Sequence, residues 1–279
     1  MTFMEMASRG NTSVIYRICG DRFLMLELGD EVDLQLNFKA ISLKDVIETE
    51  KIQGVREIMF ATCSLLIRYD PFEIDVRGLI GRLKALEARG IDYLDRSIPS
   101  RLIHVPILFN DRWTIECSKA HGLPPDMESV AEYNGLSIEE FISVYVSTDY
   151  WVKYLGFCPG EISFNALDPA KELRAAQLKV PRTWTPQGAI GIYRSGNCIY
   201  PAVIPGGVKL IGRTPLLVFD IHQRNPAFKE SPALFRAGDR LRVVPIDEKE
   251  YLAIEKNIDS YPYKIEEGVY SGKELKGSA

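Results

Sequence analysis

The segment Gly207-Val-Lys-Leu-Ile-Gly212-Arg213-Thr214 carries the glycine spacing of a phosphate-binding loop, with arginine in the place of lysine. Such a loop delivers its amides to phosphate at the start of a helix, whereas here Pro215 is followed by Leu-Leu-Val-Phe, a strand pattern. A Walker-type nucleotide cradle is therefore not expected. What is left is a tight cationic loop that either holds an anion or turns between strands with Arg213 paired to a carboxylate. Turn formers also crowd together in Gly156-Phe-Cys-Pro159-Gly160-Glu161, Pro181-Arg182-Thr183, Gly196 and Tyr200-Pro201. Interleaved with Arg, Tyr and Asn, they suit a pocket where loops converge; a barrel that turns often would show the same texture.

Other chemistries find less support. A hydrolase triad needs a nucleophile on a strained turn and a histidine beside it, and no Gly-x-Ser-x-Gly elbow is present. Of the three histidines, His104 sits in an apolar run and His222 follows Phe219-Asp220-Ile221, places where a packed or surface histidine outweighs a base. Cys117 and His121 are four apart, so a helix would put both on one face. A structural zinc normally closes with four protein ligands, so no metal is expected.

These residues need elements to hold them. Val14 to Ile18 and Phe23 to Leu28 flank Gly20-Asp21 as a hairpin, and Leu34, Leu36, Phe38, Ile41, Leu43, Val46 and Ile47 recur at helical spacing. Val55 to Phe60 and Ser64 to Tyr69 are strand-like, and Val76, Leu79, Ile80, Leu83 and Leu86 predict a second helix, with Gly90 at its C-cap. That order suits a ferredoxin-like α+β domain over residues 1–98, with Ile98-Pro99-Ser100 as linker. Residues 99–248 open with a strand, Leu102 to Phe109. A helix over Asp126 to Tyr133 follows, then one that Ser137 and Glu140 start with a capping box. Beyond Tyr150, short strands (Ala189 to Tyr193, Ile199 to Val203, Leu216 to Phe219, Arg240 to Val244) alternate with Gly and Pro turns, the pattern of an irregular β-barrel. Residues 249–279 read as a polar tail that wraps the surface or frays.

The totals agree with a globular chain. At 279 residues and 46% hydrophobic content, two domains are a better prior than one. The 34 basic residues are matched by 38 acidic ones without blocks of either sign, so nucleic acid is not an expected partner. Five widely spaced cysteines without Cys-x-x-Cys or a secretory signal read as reduced thiols of a cytoplasmic protein, and no apolar run approaches a membrane span.

Leu155-Gly-Phe-Cys-Pro-Gly160, Leu167-Asp-Pro169, Pro181-Arg-Thr183, Ile199-Tyr-Pro201, Pro205-Gly-Gly207, Ile211-Gly-Arg-Thr-Pro215 and Gly238-Asp239-Arg240 occur in one family's order and spacing. The sequence resembles the B-type subunits of 5-oxoprolinase, a family also described as the first subunit of allophanate hydrolase or as kinase A inhibitor proteins, with carboxyltransferase subdomains C and D. The resemblance implies an N-terminal ferredoxin-like domain and a C-terminal cyclophilin-like barrel. It also implies function through partners: a homologous barrel subunit (similar to the C-type subunit of 5-oxoprolinase), ATP in the assembled complex, and biotin reached through a partner where carboxyl transfer is the reaction. One branch implies inhibition of a sensor histidine kinase without chemistry.

Departures from the family are as informative. Tyr145 stands where the family usually carries His, Glu161-Ile-Ser-Phe-Asn-Ala166 replaces an aromatic and glycine-rich stretch, and Gly196-Asn197-Cys198 replaces Gln-Thr-Gly. Losing an imidazole removes a proton carrier, while Glu161 brings a carboxylate that becomes a base if desolvated. The expectation is a subunit of an ATP-dependent amide or lactam hydrolase, or of a carboxyltransferase complex, with an altered pocket. Glu161, Tyr145 and Asn197 would face the reacting carbonyl. Arg182, Arg213, Thr214, Gly160, Gly206, Gly207 and Tyr200 would hold a small carboxylate or lactam, arginine because its planar fork meets oxyanions in paired bonds.

Overall fold

The computed structural model describes residues 14–275, and the chain divides between Arg96 and Ser97 into two units. In the first, Gly20 at φ +70° turns the chain between β1 (Ile15–Cys19) and β2 (Phe23–Glu27). Helix α1 (Leu34–Thr49) starts where the Asp33 side chain accepts the amides of Gln35 and Leu36. A second hairpin, β3 (Val55–Phe60) and β4 (Ser64–Tyr69), leads to α2 (Val76–Glu87), capped by Asp75. The four strands form an antiparallel sheet in the order β1-β2-β4-β3. Alternation places Leu24, Leu26, Leu65 and Ile67 on one sheet face, where they bury against Leu43 and Ile47 of α1 and Leu79 and Leu83 of α2. Each such side chain contributes roughly 1.5–3 kcal/mol by leaving water.

The second unit is mixed α+β around a closed barrel. Strand β5 (Ser97–Pro99) precedes β6 (Leu102–Phe109), and three short helices follow: α3 (Arg112–Ala120), α4 (Asp126–Tyr133) and α5 (Ile138–Val146). Ser137 and Glu140 form the capping box that starts α5. Then come β7 (Asp149–Leu155), β8 (Ile162–Ala166), β9 (Arg182–Thr185), β10 (Ala189–Tyr193), β11 (Gly196–Ile199), β12 (Ile204–Gly206), β13 (Lys209–Arg213) and β14 (Arg240–Pro245). The order β13-β10-β11-β8-β7-β14-β6 closes through pairing of β13 with β6, giving a seven-strand barrel. Its interior is filled by alternate residues, among them Val105 and Ile107 of β6, Val152 of β7, Ile162 and Phe164 of β8, Ile190 and Ile192 of β10, Ile199, Ile211 and Leu241. Strands β9 and β12 pair as a separate two-stranded sheet.

Several sequence expectations change here. Ile98-Pro99-Ser100 is not a free linker: β5 pairs with β16 (Val269–Ser271), and the Ser100 amide donates to Gly268. The expected polar tail is built into the second unit. Helix α6 (Glu248–Lys256) carries its own capping box, β15 (Ile265–Glu266) pairs with β6, and Tyr251 and Tyr270 are buried. Residues 276–279 of that tail lie outside the described residues. The run Leu216 to Phe219 is a loop with one bridge, Phe219 to Ala233. Pro215 removes a ladder donor before it, and the Leu216 and Leu217 amides turn instead to Thr214 Oγ1 and the Tyr263 hydroxyl, while Leu216 and Val218 are buried all the same. Strand β11 ends at Ile199, so Tyr200 to Val203 lead away from the barrel toward β12. Among the described residues no helix is long and apolar enough to cross a membrane.

Candidate functional site

Residues directly opposite each other in a sheet share a face, so the barrel register sorts its side chains. Phe164 pairs with Asn197 and Val152, and Ile199 with Ile190, all on the filled interior. Ser163 pairs with Cys198 and Tyr154, and Cys198 with Gly191, so these four lie on the outer face of β7, β8, β11 and β10. Tyr193, two residues past Gly191, and Glu161, two before Ser163, extend that face. Gly191 is required there, because a Cβ would collide with Val208 and the Cys198 sulfur.

Glu161 is half-buried at the entry to β8. The Cys158 thiol donates to its Oε2 at 3.7 Å, and the buried Cys198 of β11 lies on the same face. Burial pushes its carboxyl up to about 7, against an opposing pull from the neighbouring thiols. Among the described residues no lysine or arginine forms an ion pair with it. Beside it, the hydroxyls of Ser163 and Tyr193 share a hydrogen bond of 2.8 Å. The loop bringing Glu161 to this face depends on Gly160 at φ +83°, whose missing side chain admits Phe219.

Tyr145 and Asn197 meet each other but do not join Glu161. The Tyr145 hydroxyl donates to Asn197 Oδ1 at 3.2 Å inside the barrel, where Tyr145 is packed among Phe109, Phe141 and Tyr150. Asn197 Nδ2 faces the Phe164 carbonyl and Glu172 Oε1, and Glu172 Oε2 accepts the Ala166 amide at 2.6 Å. Burial raises the Glu172 carboxyl and drives the Tyr145 hydroxyl far above the ordinary phenol range. Strand β8 stands between this interior pair and Glu161 on the outer face.

The two arginines do not converge on a hollow. Arg182, whose side chain is 0% exposed, pairs with Asp126 of α4 and donates to Ser118 Oγ and the Val208 carbonyl. Asp126 also accepts Lys209 Nζ at 3.0 Å and the Leu210 amide at 2.9 Å. Arg213 leaves the opposite end of β13, about 16 Å of extended chain from Val208. Its guanidinium packs on Trp113 and Tyr251, donates to the Gln187 carbonyl at 2.6 Å and pairs with Glu255 of α6 at 3.5 Å. The cationic loop is thus the second of its two expected forms, a strand with Arg213 paired to a carboxylate. Its backbone pairs with β10 and β6, not with the start of a helix, and offers no phosphate cradle.

The remaining expected ligands serve the scaffold. Thr214 is buried, with its amide on the Gly188 carbonyl and its Oγ1 accepting the Leu216 amide. Tyr200 is buried with its hydroxyl against Gly206; Gly207 packs on Pro181. His121 docks α3 on β9: Thr183 N–H donates to Nε2 at 3.2 Å, which leaves Nδ1–H to donate to the Cys117 carbonyl at 2.8 Å. Among the described residues no group of three or more His, Cys, Asp or Glu could hold a metal ion. Asp126, Glu172, Cys158, Cys198 and Tyr193 had no expected role in the sequence. Cys158 and Cys198 left traces there, in the Gly156-Phe-Cys-Pro159-Gly160-Glu161 turn and in the altered Gly196-Asn197-Cys198 stretch.

Residues 14–229 match the model of the carboxyltransferase domain, subdomain C and D. The urea amidolyase of Lachancea kluyveri is 28% identical over 285 residues, 97% of this chain but 16% of that protein. The B-type subunit of 5-oxoprolinase from Bacillus subtilis is 31% identical over 242 residues, 84% of this chain and 93% of that protein. The crystal structure of the K. lactis urea amidolyase superposes with a TM-score of 0.85 at 26% identity, covering 94% of this chain and 17% of that one. The chain therefore spans about a sixth of the urea amidolyases it matches and nearly all of the B. subtilis 5-oxoprolinase subunit. With the family model matched over most of its length and that bacterial relative matched almost end to end, this chain belongs to the carboxyltransferase domain family, subdomain C and D.

Proposed function

We propose that this chain is a subunit of an ATP-dependent amide or lactam hydrolase, of the 5-oxoprolinase or allophanate hydrolase kind, or of a related carboxyltransferase assembly. In either assembly Glu161 is its proton-transfer group. The observation that carries the reading is the Glu161 carboxyl: half-buried, bonded to the Cys158 thiol, unpaired with any cation among the described residues, and poised at about 7. A base works best with its pKa near the operating pH. Ionised, Glu161 accepts a proton from an amide N–H or an attacking water; protonated, it returns one to the leaving nitrogen. The Ser163 and Tyr193 hydroxyls, already paired, are placed to donate to a carbonyl oxygen.

In this reading Arg182 and Arg213 hold the scaffold beneath the site, and Tyr145 with Asn197 fixes the barrel interior behind it. ATP is handled by another chain of the assembly, and biotin, where the reaction is carboxyl transfer, is presented by a partner. The partner is a homologous barrel subunit, as the near-complete match to the B-type subunit of 5-oxoprolinase supports, and the setting is cytoplasmic. The N-terminal unit is read as ferredoxin-like, a βαββαβ fold with its last strand carried to the front, and the barrel as cyclophilin-like. None of the relatives named above supports docking on a sensor histidine kinase. The test is to co-express the chain with a homologous barrel subunit and follow ATP-dependent hydrolysis of lactams. Glu161→Gln is expected to lower kcat by about 10²–10⁴-fold, and undiminished turnover in that variant would reject the role.

A further inference from the structure

We propose that Cys158 is a positioning residue for Glu161, a neutral thiol donor, backed by the buried Cys198 of β11, that orients its carboxyl and keeps both of its protonation states accessible. Cys158 reaches Oε2 from the same turn, at 3.7 Å, and Cys198 comes from β11 across the outer face. A lysine or arginine in either place would hold the carboxylate ionised at neutral pH. A thiol donates weakly and its sulfur also accepts weakly, so when Glu161 takes a proton the new O–H finds a partner without rearrangement. The same turn holds the carboxyl half out of water, with Gly160 and the left-handed Phe157 (φ +65°) fixing its course.

The groups around Glu161 answer to its charge. Cys158 on its own loop is pushed up to about 11, first by burial and then by Glu161. Cys198 on β11, Tyr193 on β10 and Tyr200 beyond β11 are all raised as well, each by burial first with Glu161 adding to it. Coupling of this kind is reciprocal. Removing a thiol donor must strengthen the hold of Glu161 on its proton, and removing the Glu161 charge must make the Cys158 thiol ionise more readily.

The catalytic consequence rests on the reading of Glu161 given above, but the coupling is measurable in the intact chain without substrate or partner, so the two can fail separately. The experiment follows the carbon-13 carboxyl resonance of Glu161 through a pH titration in wild type, Cys158→Ala and Cys158→Ser. In parallel, alkylation of Cys158 by iodoacetamide at pH 8, located by peptide mass, is compared in wild type and Glu161→Gln. Losing one neutral hydrogen bond should raise the proton affinity of Glu161 about threefold in Cys158→Ala. The hydroxyl of Cys158→Ser should restore or lower it. Glu161→Gln should speed alkylation of Cys158 about threefold or more. A Glu161 midpoint identical in wild type and Cys158→Ala, or an alkylation rate indifferent to Glu161→Gln, would overturn the proposal.

Discussion

Asp126 and Glu161 are carboxylates of the same unit with opposite surroundings. Asp126 is 3% exposed and takes donors from Arg182, Lys209 and the Leu210 amide, tying α4 to β9 and β13. Glu161 opens onto the outer face with one thiol for a hydrogen-bond partner and a raised pKa. The first environment satisfies a charge so fully that it becomes a structural joint. The second leaves a charge under-satisfied, and an under-satisfied carboxyl at the edge of water is one that can exchange protons. The planar fork of arginine pointed to Arg182 and Arg213 as ligand holders, yet the side chain with room to act is the glutamate.

The largest effect that would break the comparison lies at Asp126. Asp126→Ala leaves the Arg182 guanidinium buried without its carboxylate and should cost about 3–5 kcal/mol, read as a fall in the urea midpoint. A loss no larger than a surface substitution would deny Asp126 its place as a joint. Next is Arg213→Ala, which removes the cation packed on Trp113 and Tyr251 and frees α6 from the barrel. It should cost about 1–2 kcal/mol, most of it from the aromatic contacts because Glu255, its ion-pair partner, is exposed. Hydrogen exchange should show α6 losing protection, and substrate affinity in the assembled complex should stay unchanged.

The most specific effect is one of pH. The folded carboxyl of Glu161 sits above its ordinary value of 4.5, so between about 4.5 and 7 the native state binds more protons than the unfolded one. Stability therefore falls as pH rises through that window and is recovered on acidification. Glu161→Gln should flatten this part of the stability profile while leaving the helix and strand content unchanged by circular dichroism. An unaltered slope would place the proton elsewhere.

Local patterns carried much of the architecture. The helix over Asp126 to Tyr133, the capping box at Ser137, the hairpin at Gly20 and strand β6 follow from spacing and turn chemistry alone. The outcome was poorer where a residue's partner is distant in sequence. Arg182 and Asp126 lie 56 residues apart, so nothing near Arg182 shows that its charge is already met. Arg213 is answered by Glu255 and Tyr251 in a segment whose polarity suggested a tail that wraps the surface or frays, and Tyr251 and Tyr270 anchor it. Leu216 to Phe219 has the composition of a strand, but a preceding proline and two side-chain acceptors keep it out of the ladder. Glu161 was visible as an acid after a glycine turn that also holds Cys158; the nearness of Cys198 was not, because it comes only from the pairing of β8 with β11.

The titration midpoint of the Glu161 carboxyl in the intact chain, followed by carbon-13 NMR, bears most directly on this account. A midpoint close to pH 7 is the predicted result. One near 4.5, the value of a glutamate in open water, would show a side chain with no more reason to move protons than any other on the surface.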